Sequence, residues 1–123
     1  MTPIFRIFDY PKAVHFYITW LGFEIDWEEP DGGEITYLQI SRDNIVLHLA
    51  AHPTDGCPGA KARAEVRGLP AYHRRLQEKD AAFSAPDLTR ADWNERVLEM
   101  EVLDPFGNLI IFCEPEGGGF HYQ

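Results

Sequence analysis

Residues 8–26 read FDYPKAVHFYITWLGFEID. Asp9 and Tyr10 precede Pro11, which suits a first helical turn because its missing N–H has no partner there anyway. Val14, Tyr17, Ile18 and Leu21 then recur at helical spacing, so the pattern predicts a helix over 11–21. Gly22 sits where a helix is closed by a residue in the left-handed conformation. FEIDW (23–27) alternates as a strand straight after it. Upstream, IFRIF (4–8) alternates as a short strand. Downstream, EEPDGGE forms a turn, and ITYLQI (35–40) and IVLHLA (45–50) are β-rich runs joined by SRDN in the manner of a hairpin. The first half of the chain therefore reads β-α-β-β-β.

The order then restarts. HPTDGCPGA (52–60) is a Pro/Gly-rich linker. ARAEV (62–66) is a weak strand, and Leu69, Tyr72 and Leu76 mark an amphipathic helix whose charged face includes HRRLQEKD. AAF (81–83) begins a short strand, and SAPDLTRADWNE is a long loop. RVLEMEVLD (96–104) alternates Val97, Glu99 and Glu101 against Leu98, Met100 and Val102. DPFGN (104–108) is a turn, LIIFCEP (109–115) a buried strand, and EGGGFHYQ a tail. The expectation is one domain: a module over about 1–51, the linker, a second module over about 61–115, and the tail. A half-length unit cannot cover the open face of its own sheet. The fold class that follows is α+β, with two βαβββ modules forming curved mixed sheets around a cleft and helices outside.

The chain has 123 residues, 45% apolar and 25% charged, an ordinary globular balance for one domain. Twenty Asp+Glu against 11 Lys+Arg give a net charge of −9. That excess argues against nucleic acid and against anionic membrane surfaces, and it permits a cationic ligand. Cys57 and Cys113 are too few for an extracellular disulfide framework and read as free thiols, Cys113 as a core residue. The N-terminal run MTPIFRIFDYPKA lacks the features of a signal peptide, and no apolar run approaches the ~18 residues of a membrane helix. A soluble cytoplasmic protein is expected.

FDYPKAVHFYITWLGFEID resembles the opening module of the vicinal-oxygen-chelate superfamily, a strand, an Asp and a helix ending in FY…LGF. VLDPFGNLIIFCEP (102–115) resembles its closing hairpin. Within that superfamily the chain is most similar to the bleomycin resistance proteins. The resemblance implies a βαβββ repeat, a homodimer, and cavities between modules or subunits. In the metalloenzymes of the superfamily, His and Glu from the cup-lining strands chelate a divalent ion. Here the corresponding positions fall on Thr2, Lys61 and Ile111, and only His48 is ligand-like. Glu114 lies on the opposite face of its strand. One donor cannot hold a metal that needs three or four. His15 and His73 lie on helices, His52 in the linker and His121 near the end. No nucleophile elbow or phosphate loop occurs. The expectation is therefore no metal, no cofactor and no catalytic residue.

Bleomycin-type ligands are large, cationic and carry planar heteroaromatic rings, so a binder needs aromatic faces and an acidic surround. Tyr37 stands where bleomycin resistance proteins carry a cleft aromatic, and Trp93 lies in the loop where they place a Trp. Trp20 reads as core, and Trp27 is a weaker candidate for the cleft or a dimer contact. Acidic residues cluster as Asp26, Glu28, Glu29, Asp31 and Glu34, and as Asp87, Asp92 and Glu95. Glu34 and Asp92 are selected for their nearness to an aromatic candidate. Glu99 and Glu101 share a strand face, and the sequence leaves open whether that face meets a cavity or solvent. His48 reads either as a core imidazole or as a polar group in the cleft. The expected ligand-binding set is Tyr37, His48, Trp93, Glu34 and Asp92. The expected function is sequestration of a cationic glycopeptide-type antibiotic in clefts of a homodimer. The alternatives are a metal-dependent glyoxalase or dioxygenase using His48 with Glu99 or Glu101, and a binder of another small molecule.

Overall fold

The computed structural model describes residues 2–51, 59–79 and 86–115. In chain order it holds β1 (Ile4–Arg6), a helix made of α1 (Tyr10–Val14) and a π-wound turn (His15–Trp20), then β2 (Glu24–Asp31), β3 (Glu34–Arg42) and β4 (Ile45–Ala50). There follow β5 (Lys61–Glu65), α2 (Leu69–Glu78), β6 (Thr89–Ala91), β7 (Asn94–Leu103) and β8 (Leu109–Pro115). The strands form two four-stranded sheets, ordered β1-β4-β3-β2 and β5-β8-β7-β6. Each sheet places its strands first-fourth-third-second, the same permutation twice, as two βαβββ modules require. In the first sheet β1 runs parallel to β4, while β3 is antiparallel to both β2 and β4. Among the described residues no helix is long and apolar enough to cross a membrane.

The chain divides into two compact units. One takes the residues up to Lys61 together with Leu103–Leu109, and the other takes Ala62–Val102 and the residues from Ile110. In the first unit Asp9 caps the helix, its Oδ1 accepting from the Lys12 N–H at 3.1 Å. The helix expected over 11–21 is α only at its start. From His15 the hydrogen bonds lengthen their span, Leu21 N–H donating to the Phe16 carbonyl at 3.0 Å and Phe23 N–H to that of Tyr17 at 2.9 Å. Apolar spacing alone does not separate the two windings over a single turn. Gly22, at φ +89°, then ends the helix. Ala13, Phe16, Tyr17, Trp20, Leu21 and Phe23 are buried, as are Phe5 and Ile7 from the β1 segment, Leu38 and Ile40 from β3, and Leu47 and Leu49 from β4. That is one face of the sheet, chosen by period-2 alternation. The other face is left for the residues between them.

The DPFGN turn fastens this unit. The Asp104 carboxylate is buried and accepts four hydrogen bonds. Oδ1 takes the Phe106 and Asn108 N–H groups at 2.9 and 2.7 Å, and Oδ2 takes the Tyr17 hydroxyl at 2.5 Å and Asn108 Nδ2 at 2.8 Å. Asn108, fully buried, also donates to the Arg6 carbonyl at 2.8 Å and accepts from Ala60 N–H at 3.2 Å. Gly107 at φ +89° supplies the left-handed residue the turn needs.

In the second unit Leu69, Tyr72 and Leu76 are the buried residues of α2, as their spacing predicts. Tyr72 meets Phe112 of β8 edge to face at 5.5 Å. The helix starts after Gly68, which brings no capping side chain, and Glu114 of β8 takes that role. Its carboxylate accepts from Gly68 N–H at 2.7 Å and Leu69 N–H at 2.9 Å. The long loop expected before β7 in fact contains β6, a three-residue edge strand paired with β7. So short a strand carries no alternation to read. The strand expected at AAF (81–83), most of the linker and the tail lie outside the described residues. His73, expected as open surface, places Nε2 2.7 Å from the Pro86 carbonyl.

Candidate functional site

The open face of the first sheet gathers polar and aromatic side chains. On β3 the residues alternating with Leu38 and Ile40 are Tyr37, Gln39 and Ser41, and on β4 the residue between Leu47 and Leu49 is His48, paired with Gln39. β2 lies on the other side of β3 and contains a bulge. Ile25 pairs with Ile40 and Trp27 with Gln39, so Asp26 and Trp27 together oppose one residue. A regular strand would turn these two side chains to opposite faces. The bulge brings both to the face that holds Gln39.

The result is a hydrogen-bonded chain beside an aromatic cluster. The Tyr37 hydroxyl lies 2.9 Å from His48 Nδ1, and His48 Nε2 lies 3.0 Å from Gln39 Oε1. Gln39 Nε2 donates to Asp26 Oδ2 at 3.0 Å, and Ser41 Oγ donates to Asp26 Oδ1 at 2.9 Å. Trp27, 40% exposed, lies parallel to Tyr37, with centroids 6.0 Å apart and planes 8° apart. The edge of the cluster is closed by His48, 5.4 Å from Trp27 and 5.2 Å from Tyr37, steeply inclined to both. Residues directly across a strand pair share a face. Glu24 stands opposite Ser41 and Glu29 opposite Tyr37, both exposed, which adds negative charge around Asp26. Arg6, on β1 opposite Ala50, stacks its guanidinium 5.2 Å from the Phe8 ring. On the helix side of β2, Tyr10 donates its hydroxyl to Glu28. Partial burial, helped by that bond and the carboxylate charge, pushes the Tyr10 hydroxyl up to about 12.

Of the sequence-predicted set, Tyr37 and His48 are therefore brought together. His48 is half-buried and lies on the sheet face opposite Leu47 and Leu49. Glu34 is exposed at the first residue of β3, across from Asp31, and takes no part in the hydrogen-bonded chain. Asp92 and Trp93 form the exposed turn between β6 and β7, in the other unit. There the Arg63 guanidinium sits 5.1 Å from the Trp93 ring centroid and pairs with Glu99. Glu99 is accordingly buried while Glu101 is exposed, so these two carboxylates, expected to share one environment, do not. Cys113 lies near the same pair, its Sγ 3.5 Å from the Ala64 carbonyl. Burial pushes its thiol up, against the pull of Arg63 and with the help of Glu65 and Glu99. Trp27, Gln39 and Asp26 are the members of this cluster that sequence reasoning undervalued or missed. The signal that groups them is the bulge, which alternation cannot show. Among the described residues no three His, Cys, Asp or Glu side chains converge as a metal ion would require.

Two mixed sheets of identical strand permutation, each with its own helix, define an α+β protein built from paired βαβββ modules. The chain belongs to the glyoxalase superfamily, whose family model, described as glyoxalase superfamily protein, matches residues 1–119. Among solved structures it is similar to the bleomycin-binding protein of bleomycin-producing Streptomyces verticillus, crystallised with copper(II)-bleomycin. That pair is 23% identical over 94% of this chain and 95% of the other, with a TM-score of 0.69. TnmS3, an antibiotic binding protein from Streptomyces sp. CB03234, is 24% identical over 94% and 96%, TM-score 0.67. A glyoxalase-related enzyme from Clostridium phytofermentans is 18% identical over 94% and 93%, TM-score 0.74. These likenesses concern the fold. No curated protein sequence matches significantly.

Proposed function

We propose that the protein binds and sequesters a cationic, aromatic antibiotic-type molecule of the bleomycin kind without transforming it, on the Trp27–Tyr37–His48 face of its first sheet. The observation that carries this reading is the parallel Trp27–Tyr37 pair, part-exposed on an acid-rich face. Aromatic planes of this sort accept a further planar ring by stacking, and carboxylates around them favour a cation. The bleomycin-binding and antibiotic-binding proteins of the same fold support the ligand class. A metal-dependent lyase or dioxygenase would need several convergent donors, and no observation among the described residues favours it. The working form is a homodimer. Phe8 and Leu103 are large apolar residues 59% and 65% exposed, and a second copy would cover such surface.

The test is a titration of the protein with metal-free bleomycin, followed by tryptophan fluorescence, for the natural chain and for Trp27→Ala. A saturable change at micromolar ligand that is lost in Trp27→Ala is expected. No saturable change in the natural chain would refute the binding reading. Sedimentation at micromolar protein checks the assembly separately, and a monomer there would overturn the homodimer alone.

A further inference from the structure

Resting on the binding reading above, we infer that Asp26 anchors the guest through N–H donors, so that the site selects a planar aromatic cation of the amidinium or guanidinium class over one whose charge carries no N–H. The direction of the hydrogen-bonded chain leads to this. A carboxylate only accepts, so the amide edge that Gln39 turns toward Asp26 must be its NH2. Gln39 then presents its Oε1 to His48 Nε2, and an amide oxygen also only accepts, so Nε2 carries the imidazole proton. In the neutral ring with its proton on Nε2, Nδ1 is an acceptor, and the Tyr37 hydroxyl donates to it. In that tautomer every proton in the series Tyr37, His48, Gln39 points toward Asp26, and Ser41 adds one more.

Each Asp26 oxygen thus receives one donor from the protein and retains acceptor capacity at an exposed position. The donors of Tyr37, His48, Gln39 and Ser41 are used inward, and what Asp26 offers a guest is acceptor oxygen, with Arg6, turned onto the Phe8 ring, as a cation of the same sheet face. Glu24 and Glu29 reinforce the sign of the field, and Trp27 supplies a ring face attractive to a delocalised cation. A planar fork of N–H groups matches a carboxylate in two bonds, whereas a quaternary ring cation gains only charge and stacking. The assignment makes Asp26 the residue that determines specificity, with Gln39 and Ser41 positioning its carboxylate.

Three probes of similar size separate these contributions on the full chain by calorimetry and tryptophan fluorescence. They are 2-naphthamidine, a cation with N–H donors; N-methylquinolinium, a cation without them; and 2-naphthoate, an anion. Naphthamidine is expected to bind about tenfold tighter than N-methylquinolinium, the scale of one charge-assisted hydrogen bond, with naphthoate weakest. In Asp26→Asn the advantage of naphthamidine should vanish, while N-methylquinolinium changes by less than about threefold, as expected for one exposed charge. Equal affinities for the two cations in the natural chain, no binding of naphthamidine, or an Asp26→Asn that weakens both cations alike would each overturn the inference. The first two comparisons need no variant, so misfolding of Asp26→Asn leaves the test decisive. Should bleomycin bind in a Trp27-dependent way with no preference between the cations, the function stands and the anchor falls. Should bleomycin not bind, the proposed function falls as well.

Discussion

Asp104→Asn should destabilise the protein more than any other change of one heavy atom in the first unit. The Asp104 carboxylate has four lone-pair directions, and four donors fill them. An amide at this place keeps one accepting oxygen. If that oxygen stays with the Phe106 and Asn108 N–H groups, the new NH2 faces the Tyr17 hydroxyl and Asn108 Nδ2. Tyr17 could turn its hydroxyl to accept, but its proton would then lie buried without Asp104. Asn108 cannot adapt, because its other donor is held by the Arg6 carbonyl and its oxygen by Ala60. The opposite amide orientation sets NH2 against two backbone donors, which is worse. One lost charge-assisted bond and one buried donor conflict come to about 2–4 kcal/mol. With unfolding entropy of about 2.1 cal/mol/K per residue over 123 residues, or ~0.26 kcal/mol/K, this lowers Tm by about 8–15 °C. Tyr17→Phe removes one donor and creates no conflict, so it should cost about 1–2 kcal/mol. Thermal melts followed by circular dichroism measure both. A loss of less than about 3 °C in Asp104→Asn, or a larger loss in Tyr17→Phe, would refute the account of a saturated carboxylate.

The tyrosines set an alkaline limit. Burial, then the charge and hydrogen bond of Asp104, hold the Tyr17 hydroxyl well above its ordinary 10.0, and Tyr10 is raised to about 12. The unfolded chain releases these protons first, so both contributions are whole below pH 10 and shrink as pH rises past it, Tyr10's until about pH 12. Denaturant melts across pH 8.5–11.5 should show stability falling above about 10, with a shallower fall in Tyr17→Phe. Cys113 should resist a thiol reagent in the native protein. In a Cys57→Ser background, modification is expected only once denaturant is added, and rapid native labelling would contradict the burial and raised thiol. Glu114→Ala removes the acceptor for two N–H groups at the start of α2 and should cost about 1–2 kcal/mol in urea melts. Glu114→Gln should recover part of it, and an unchanged midpoint in Glu114→Ala would refute the capping role.

Where one pattern covered a whole element, the chain could be read. LIIFCEP and IVLHLA are β8 and β4 to the residue, because continuous apolar runs between turn residues leave little freedom in their ends. The alternation of β7 was legible, but its burial was not. Glu99 is buried because Arg63, distant in sequence, pairs with it. Likewise Glu114 could be set on the helix side of β8 from its parity, while its capping of α2 depends on contacts across 45 residues or more. For the candidate site, Tyr37 and His48 follow from strand position. Selection of Glu34 by nearness in sequence missed the acid that the structure bonds into the cluster, which is Asp26. A single irregular pairing on β2 decides which acid and which tryptophan face Tyr37, and irregular pairing has no composition of its own.

That irregularity has a genetic side. Asp26 is the unpaired residue of the bulge, and Ile25 and Trp27 on either side of it pair with the adjacent residues Ile40 and Gln39 of β3. Loss of one codon should leave Trp27 opposite Gln39 and the core residues Leu38 and Ile40 of β3 undisturbed, and delete the carboxylate. A stacking site with an acidic anchor and one without it are then one in-frame step apart. On the proposed reading, ligand preference on this sheet changes without any core residue changing, and aligned relatives should show that step as a one-residue gap at position 26.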